Sequence, residues 1–272
     1  MAAPSEVGST TNAVVTGAAS GIGEAIAQRL LEAAGSVVIG DLDGARLETT
    51  AARLDGDHPG RVAHVAGDAS DPEHVAALIA AAGEPVNLFV ANAGVFRGFG
   101  LEATDEEWAS SWDVNVMAHV HAARALVPQW VERGAGCFVS TASAAGLLTQ
   151  LGSPTYSTSK HAAVGFAEWL AATYGDLGVQ VCCLCPMGVR TDMLLGGETT
   201  ASDQGKLGMK SVTSAGETLD PLAVADVLLE AIADGRFFAL PHPEVGTMYA
   251  RKAADPDHWI TGMQRFRTSL EA

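Results

Sequence analysis

The chain predicts an α/β fold: doubly wound, with a mainly parallel seven-stranded sheet flanked by helices. Three observations carry that expectation. Short β-branched runs alternate with longer Ala- and Leu-rich stretches, the pattern of repeated strand–helix units. The strand-like runs are almost continuously apolar rather than alternating, as strands covered on both faces must be. A glycine-rich turn joins the first run to the first helix-like stretch.

The strand candidates are 13–16, 36–40, 62–65, 86–91, 137–141, 180–185 and 237–240. Between them fall helix candidates at 22–34, 43–54, 71–82, 104–132, 155–174 and 220–234. Asp71-Pro72 and Asp220-Pro221 each set a capping carboxylate before a proline at the first helical position. Thr104-Asp-Glu-Glu107 has capping-box spacing, with acidic residues at the positive helix end. Pro128 inside the fourth helix predicts a kink or break there. The stretch 186–219 has neither a clear strand nor a long helix and reads as a lid or binding loop. Residues 1–11 read as a loose tail, 12–240 as one domain, and 241–272 as an extension packed on it. In that extension Trp259, Met263 and Phe266 recur at near-helical spacing and would cover the pocket or a neighbouring subunit.

At 272 residues the chain can bury roughly three quarters of its unfolded surface. Sixteen basic against thirty-two acidic residues leave a net charge of −16, which repels nucleic acid and anionic lipid headgroups. Neither is an expected partner. No apolar run reaches the roughly 20 residues of a membrane span, and the first residues lack a signal-peptide pattern. The four cysteines, Cys137, Cys182, Cys183 and Cys185, have neither disulfide-framework nor zinc-site spacing. They read as buried strand residues in a reducing, cytoplasmic setting, and no metal is expected.

The segment Thr16-Gly-Ala-Ala-Ser-Gly-Ile-Gly23 follows an apolar strand and opens a helix. Gly17 permits the tight turn, Gly21 a close approach of the backbone to a pyrophosphate, and Gly23 close helix–strand packing. Ser20 lies inside this turn, and the helix that begins near Ile22 presents its positive end to phosphates. Asp41, at the end of the second strand, can accept hydrogen bonds from both adenosine ribose hydroxyls and repel a 2′-phosphate. Neither Ser20 nor Leu42 supplies a cation for that phosphate, so NAD is expected over NADP. Asp68 and the Ala69 backbone are placed to meet the adenine edge. Asn92-Ala93-Gly94 ends the fourth strand, where ligands of open α/β sheets bind. Plain turns at Asp41, Asp68 and Asn92–Gly94 stand as the alternatives.

Tyr156 and Lys160, four residues apart, share one helix face. An ammonium there would draw the phenol below its usual value of about 10. Ser143 lies thirteen residues before Tyr156, with Ser140 and Thr141 as rivals. A nucleotide loop together with Ser, Tyr and Lys points to proton and hydride chemistry on a carbonyl or an alcohol.

Taken in this order, the motifs resemble the short-chain dehydrogenase/reductase family over about residues 12–240, a Rossmann-type fold. The resemblance implies an NAD-dependent oxidoreductase in which Tyr156 is the general acid/base and Ser143 hydrogen-bonds the substrate oxygen. It further implies that Lys160 binds the nicotinamide ribose, and that Asn115 kinks a helix and holds a water linking Lys160 to solvent. Pro186, Gly188, Val189 and Thr191 match the segment that contacts the nicotinamide. Here Pro186-Met187-Gly188 departs from the usual Pro-Gly, so the register of Thr191 is open and Met187 is free to project towards the substrate. Family members are commonly homodimers or homotetramers.

A small-molecule substrate would meet Val95, Phe96, Phe99, Leu147, Leu148, Leu151, Met187, Met193, Leu194 and Leu195, a lining suited to a lipophilic or alicyclic secondary alcohol or its ketone. Arg97, Gln150 and Arg190 are the polar candidates. Two other classes stand as alternatives: an NAD-binding regulatory protein without turnover, and an epimerase or dehydratase of the same superfamily. The presence of Tyr156 and Lys160 disfavours the first. The short tail after the last strand disfavours the second.

Overall fold

Seven strands lie side by side in the order β3-β2-β1-β4-β5-β6-β7, and every neighbouring pair is parallel. The computed structural model describes residues 8, 11–83, 85–198 and 202–271. Apart from Gly8 and Thr11, the expected N-terminal tail lies outside the described residues. The strands are β1 (Asn12–Thr16), β2 (Ser36–Asp41), β3 (Val62–Ala66), β4 (Leu88–Ala91), β5 (Gly136–Thr141), β6 (Val179–Leu184) and β7 (Phe238–Ala239). The chain winds outward from β1 in one direction and from β4 in the other. Between these two strands the winding reverses, and a crevice opens at their carboxyl ends.

Helices cover both faces. α1 (Gly21–Glu32), α2 (Gly44–Asp57) and α10 (Pro221–Ala233) pack on one. α3 (Pro72–Ala82), α5 (Ala118–Arg133) and α7 (Pro154–Tyr174) pack on the other, around Phe89, Trp130 and Phe138, with the short α6 (Ala145–Leu148) just before α7. The helix starts follow the sequence signals. Asp71 and Asp220 cap α3 and α10, and Thr104 and Glu107 form a complete capping box at α4 (Asp105–Trp112).

Three expectations are corrected. The single helix over 104–132 is instead α4, a π-helical turn at Asp113–Met117, and α5. The break thus falls well before Pro128, which α5 carries in its interior. Burial of Ala122, Ala123, Leu126, Val127 and Trp130 offsets the one backbone hydrogen bond that proline removes. The stretch 186–219 is no open loop: it contains α8 (Asp192–Glu198) and α9 (Asp203–Ala215). Gly205 and Gly208 weaken the helix signal of α9, yet Gly208 is where the helix meets another segment closely. A Cβ there would stand 3.0 Å from the Leu151 carbonyl oxygen. The C-terminal extension forms α11 (Glu244–Ala254) and α12 (Pro256–Glu271), and α12 packs against α9.

Candidate active site

One cavity of about 840 Å³ occupies the crevice at the carboxyl ends of the strands. Its nucleotide end is lined by Gly17, Ser20, Gly21, Ile22, Asp41, Leu42, Asp68, Ala69, Asn92, Ala93 and Gly94. Gly17 (φ +64°) and Gly21 (φ +59°) adopt left-handed backbone, which glycine alone adopts freely. A Cβ on Gly17 would lie 2.7 Å from the Ala93 Cα, so the glycine lets the two strand ends approach. Thr16 and Asn92 lock that approach. Thr16 Oγ1 accepts from the amides of Asn92 (3.0 Å) and Ala93 (3.1 Å), and Asn92 Nδ2 donates to the carbonyls of Thr16 (3.0 Å) and Gly17 (3.1 Å). Ser20 occupies the N-cap position of α1 without capping it through its side chain. The first amides of α1 therefore keep no side-chain cap at the cavity, the arrangement that suits a phosphate.

The Asp41 carboxylate accepts from the Ala19 amide (3.0 Å) and the Asp43 amide (3.1 Å), which ties the glycine turn to the end of β2. Each oxygen keeps a lone pair for a further donor. Asp68 holds its own turn, accepting from the Ser70 amide and hydroxyl, both at 2.8 Å. Gly23, expected among the cofactor contacts, does not line the cavity. It packs so tightly on the Gly17 carbonyl that a Cβ would come within 2.2 Å. Gly188 is likewise turned away, facing Thr218 and Val212, whereas Pro186, Met187, Val189 and Thr191 line the cavity.

At the other end stand Ser143, Tyr156 and Lys160. Ser153 caps α7 by accepting from the Tyr156 amide (3.3 Å), and this places Tyr156 in the first turn with Lys160 one turn on. Ser143 follows β5; its Oγ accepts from the Ala145 amide (3.1 Å). Lys160 is 3% exposed, and its Nζ donates to the Thr141 carbonyl (2.8 Å) while lying 5.7 Å from the centre of the Tyr156 ring. Burial lowers this ammonium to about 8. Burial also raises the Tyr156 phenol above its ordinary value, and the hydrogen bond with Ser143 opposes that rise. The downward shift expected from Lys160 is therefore not found: desolvation, which disfavours the phenolate, dominates at this site.

Asn115 lies in the π-helical turn, fully buried and outside the cavity wall. Its Oδ1 accepts from the Val95 amide (2.9 Å), and its Nδ2 donates to the Val95 carbonyl (3.1 Å) and to Ser159 Oγ (3.0 Å). It pins the loop after β4 to α7. One turn later His119, also fully buried, shares a hydrogen bond with Ser140 Oγ (2.9 Å). Desolvation, then the Lys160 charge, hold this imidazole down to about 3, so it is neutral. Nothing in the sequence singled it out.

Of the expected substrate contacts, Val95, Phe96, Leu148, Leu151, Met187, Met193 and Leu194 line the cavity. Leu147 does not: it is core, 2% exposed, and Lys252 donates to its carbonyl. Phe99 packs edge-on against Phe96 outside the lining, and Leu195 is exposed. Arg190 pairs with Asp220 away from the cavity. The outer wall comes from residues the sequence left undecided: Met209, Val212, Met248, Trp259, Met263 and Phe266. The spacing of the last three was its one visible signal. All four cysteines are buried and free, with Cys183 and Cys185 Sγ 3.7 Å apart. No cluster of three potential metal ligands occurs among the described residues, and no described helix is long and apolar enough to cross a membrane.

A cleft that joins a glycine turn to a Ser/Tyr/Lys set defines a nicotinamide-dependent oxidoreductase, and comparison with known proteins agrees. The profile of the short chain dehydrogenase family matches residues 11–201. The chain is 36% identical over 236 residues to 1-deoxy-11-beta-hydroxypentalenate dehydrogenase of Streptomyces exfoliatus, covering 84% of this chain and 82% of that protein. A short chain dehydrogenase/reductase from Burkholderia phymatum, solved in complex with NAD, superposes with a TM-score of 0.83 at 30% identity, covering 93% of this chain and 96% of that one. L-Sorbose reductase from Gluconobacter frateurii, complexed with NADPH and L-sorbose, gives a TM-score of 0.75 at 27% identity, covering 87% and 97%. The protein belongs to the short-chain dehydrogenase/reductase family.

Proposed function

We propose that this protein is an NAD-dependent dehydrogenase that interconverts a lipophilic, alicyclic secondary alcohol and its ketone. The observation that carries this reading is the continuity of one cavity from the Asp41 carboxylate to the Tyr156 hydroxyl, with apolar walls beyond. The name of the Streptomyces relative, 1-deoxy-11-beta-hydroxypentalenate dehydrogenase, supports a hydroxyl-bearing substrate. The NAD complex of the Burkholderia relative supports the cofactor.

The residues present fit a dinucleotide. Left-handed glycines clear its path, uncapped amides of α1 meet its phosphates, and Asp41 takes ribose hydroxyls. Asp68 and Ala69 border the adenine, while Val189 and Thr191 border the nicotinamide. When bound, the nicotinamide supplies the hydride acceptor or donor. Ser143 holds the substrate oxygen and steadies the charge that develops there. Tyr156 removes the hydroxyl proton in oxidation and returns it in reduction. Lys160, seated on the Thr141 carbonyl, keeps positive charge beside the phenol. Asn115 positions the loop that carries Val95 and Phe96 rather than touching the reacting atoms.

Two results test this reading. Asp41→Ala is expected to narrow the ratio of kcat/KM for NAD over NADP by about 10-fold, since it removes both an acceptor for the ribose and the repulsion of a 2′-phosphate. An unchanged ratio overturns the assignment. Oxidation requires the phenolate, and burial holds the phenol high. Turnover in that direction therefore rises with pH, by about tenfold per unit below the apparent pKa, whereas reduction, which needs the protonated phenol, is level below that pKa and falls above it. A flat oxidation profile from about pH 6 to about pH 10 removes Tyr156 as the base.

A further inference from the structure

Resting on the dehydrogenase reading above, we propose that Arg97 and Ser110 form an anion subsite at the edge of the substrate cavity. The alcohol or ketone taken there then carries a carboxylate remote from its reacting carbon. Both residues line the cavity. Arg97 is exposed, yet its backbone is held firmly. Its carbonyl accepts from Ser153 Oγ (3.1 Å) and from Thr155 Oγ1, and the Gly98 carbonyl accepts from Ser153 Oγ (3.0 Å). Gly98 lies at φ +70°, where a Cβ would strike Thr155 at 2.5 Å, so the strand-to-helix path has one course. The preceding residue, Phe96, stands edge-on to the Tyr156 ring at 5.0 Å. The Arg97 backbone is thus fixed relative to the Tyr156 ring.

Its charge is unspent. Arg97 Nη1 donates to Ser110 Oγ (3.0 Å), and no carboxylate lies within ion-pair distance among the described residues. Arg29, Arg46, Arg53, Arg190, Arg236 and Arg267 each meet a carboxylate, whereas Arg97, at the cavity edge, has only the Ser110 hydroxyl. The other cation lining the cavity, Lys160, is buried and committed to Thr141. A guanidinium offers five donors in a planar fork, and one bond to Ser110 leaves an edge for two-pronged binding of a carboxylate. Gln150, the other polar candidate, is not available. Its Nε2 is taken by Leu151, Gly208 and Ser211. The remaining substrate wall, with Met209, Met263, Trp259 and Phe266, is mainly apolar. A single cation on such a wall selects an amphipathic molecule: a carbocyclic body with one anionic end.

The test uses a hydroxylated decalin carboxylic acid and its methyl ester, which differ only in that charge. Affinity for the full-length protein is read by calorimetry with NADH present, which cannot oxidise the alcohol, and kcat/KM with NAD by NADH absorbance. The acid is expected to bind about 10-fold more tightly than the ester, with the advantage shrinking at high salt. Arg97→Gln should erase the difference by weakening only the acid, and Arg97→Lys should restore part of it. Equal affinity of the two compounds for the parent protein overturns the subsite. So does an Arg97→Gln variant that weakens acid and ester alike. If the acid binds preferentially but neither compound is oxidised, the subsite stands and the dehydrogenase reading fails; oxidation of both without preference gives the reverse.

Discussion

Tyr156→Phe is expected to lower turnover by about 10²-fold or more, while affinity for NAD stays within about twofold. The substitution removes one oxygen and leaves the ring, so the edge-on contact with Phe96 at 5.0 Å survives and α7 keeps its Ser153 cap. No neighbour can take over the lost function. The Lys160 ammonium is turned to the Thr141 carbonyl, and the Ser143 hydroxyl, which also accepts from Ala145, is too weak a base. His119 is sealed away from the cavity on the far side of Ser140, neutral and without access to substrate. A loss of this size corresponds to about 3 kcal/mol or more of transition-state stabilisation. The measurement is kcat with saturating NAD, paired with a direct titration of NAD. Near-normal kcat would remove Tyr156 from the chemistry; a collapse of NAD affinity would make it a binding residue instead.

The second large effect concerns the scaffold. Trp130→Ala should destabilise the protein by about 3–5 kcal/mol, a large share of the roughly 5–15 kcal/mol that keeps a domain folded. Trp130 is fully buried on α5, amid the cluster that joins α5 and α7 to the sheet. Its Nε1 donates to the Val86 carbonyl at 2.9 Å, which anchors the chain just before β4. The indole lies against the backbone of β5, where a Cβ on Gly136 would fall 2.2 Å from the ring. Truncation loses the burial of the indole and leaves a cavity wherever the neighbours do not relax into its space. Trp130→Phe keeps most of the volume and should cost clearly less. The check is the urea midpoint of both variants. A shift for Trp130→Ala equivalent to under about 1 kcal/mol would mean that the site collapses freely.

Together the two experiments separate the site from its frame: the first should slow the chemistry in a protein of unchanged stability, the second should lower stability in a protein that keeps every catalytic side chain. The frame also explains the precision of the site. Ser143 follows β5, Tyr156 and Lys160 share α7, and the glycine turn follows β1. The parallel register of β1, β4 and β5 brings these segments to one end of the sheet.

The seven strands were legible because parallel strands need apolar residues on both faces, which leaves runs that no surface segment imitates. The nucleotide turn was legible because left-handed backbone and close approach demand glycine at particular places. Gly17 and Gly21 show that demand directly. The Tyr156–Lys160 pair was legible because spacing on a helix is set locally. Other features were hidden. α9 carries two glycines and draws its stability from the segments it touches, so its own residues argue against it. The π-helical turn at Asp113–Met117 shows no proline or glycine signal, and only the family resemblance, through Asn115, pointed to a kink there; Pro128 gives a signal and no break.

Local spacing and backbone chemistry thus settle which elements form and which reactive groups the chain owns, since both are properties of neighbours in sequence. Which way Asn115 turns, whether Leu147 is wall or core, that Arg97 goes unpaired, and that the Tyr156 phenol is driven up rather than down all depend on residues distant along the chain. Desolvation and ion pairing are set by everything within a few ångströms in space, and only the folded packing brings those groups together.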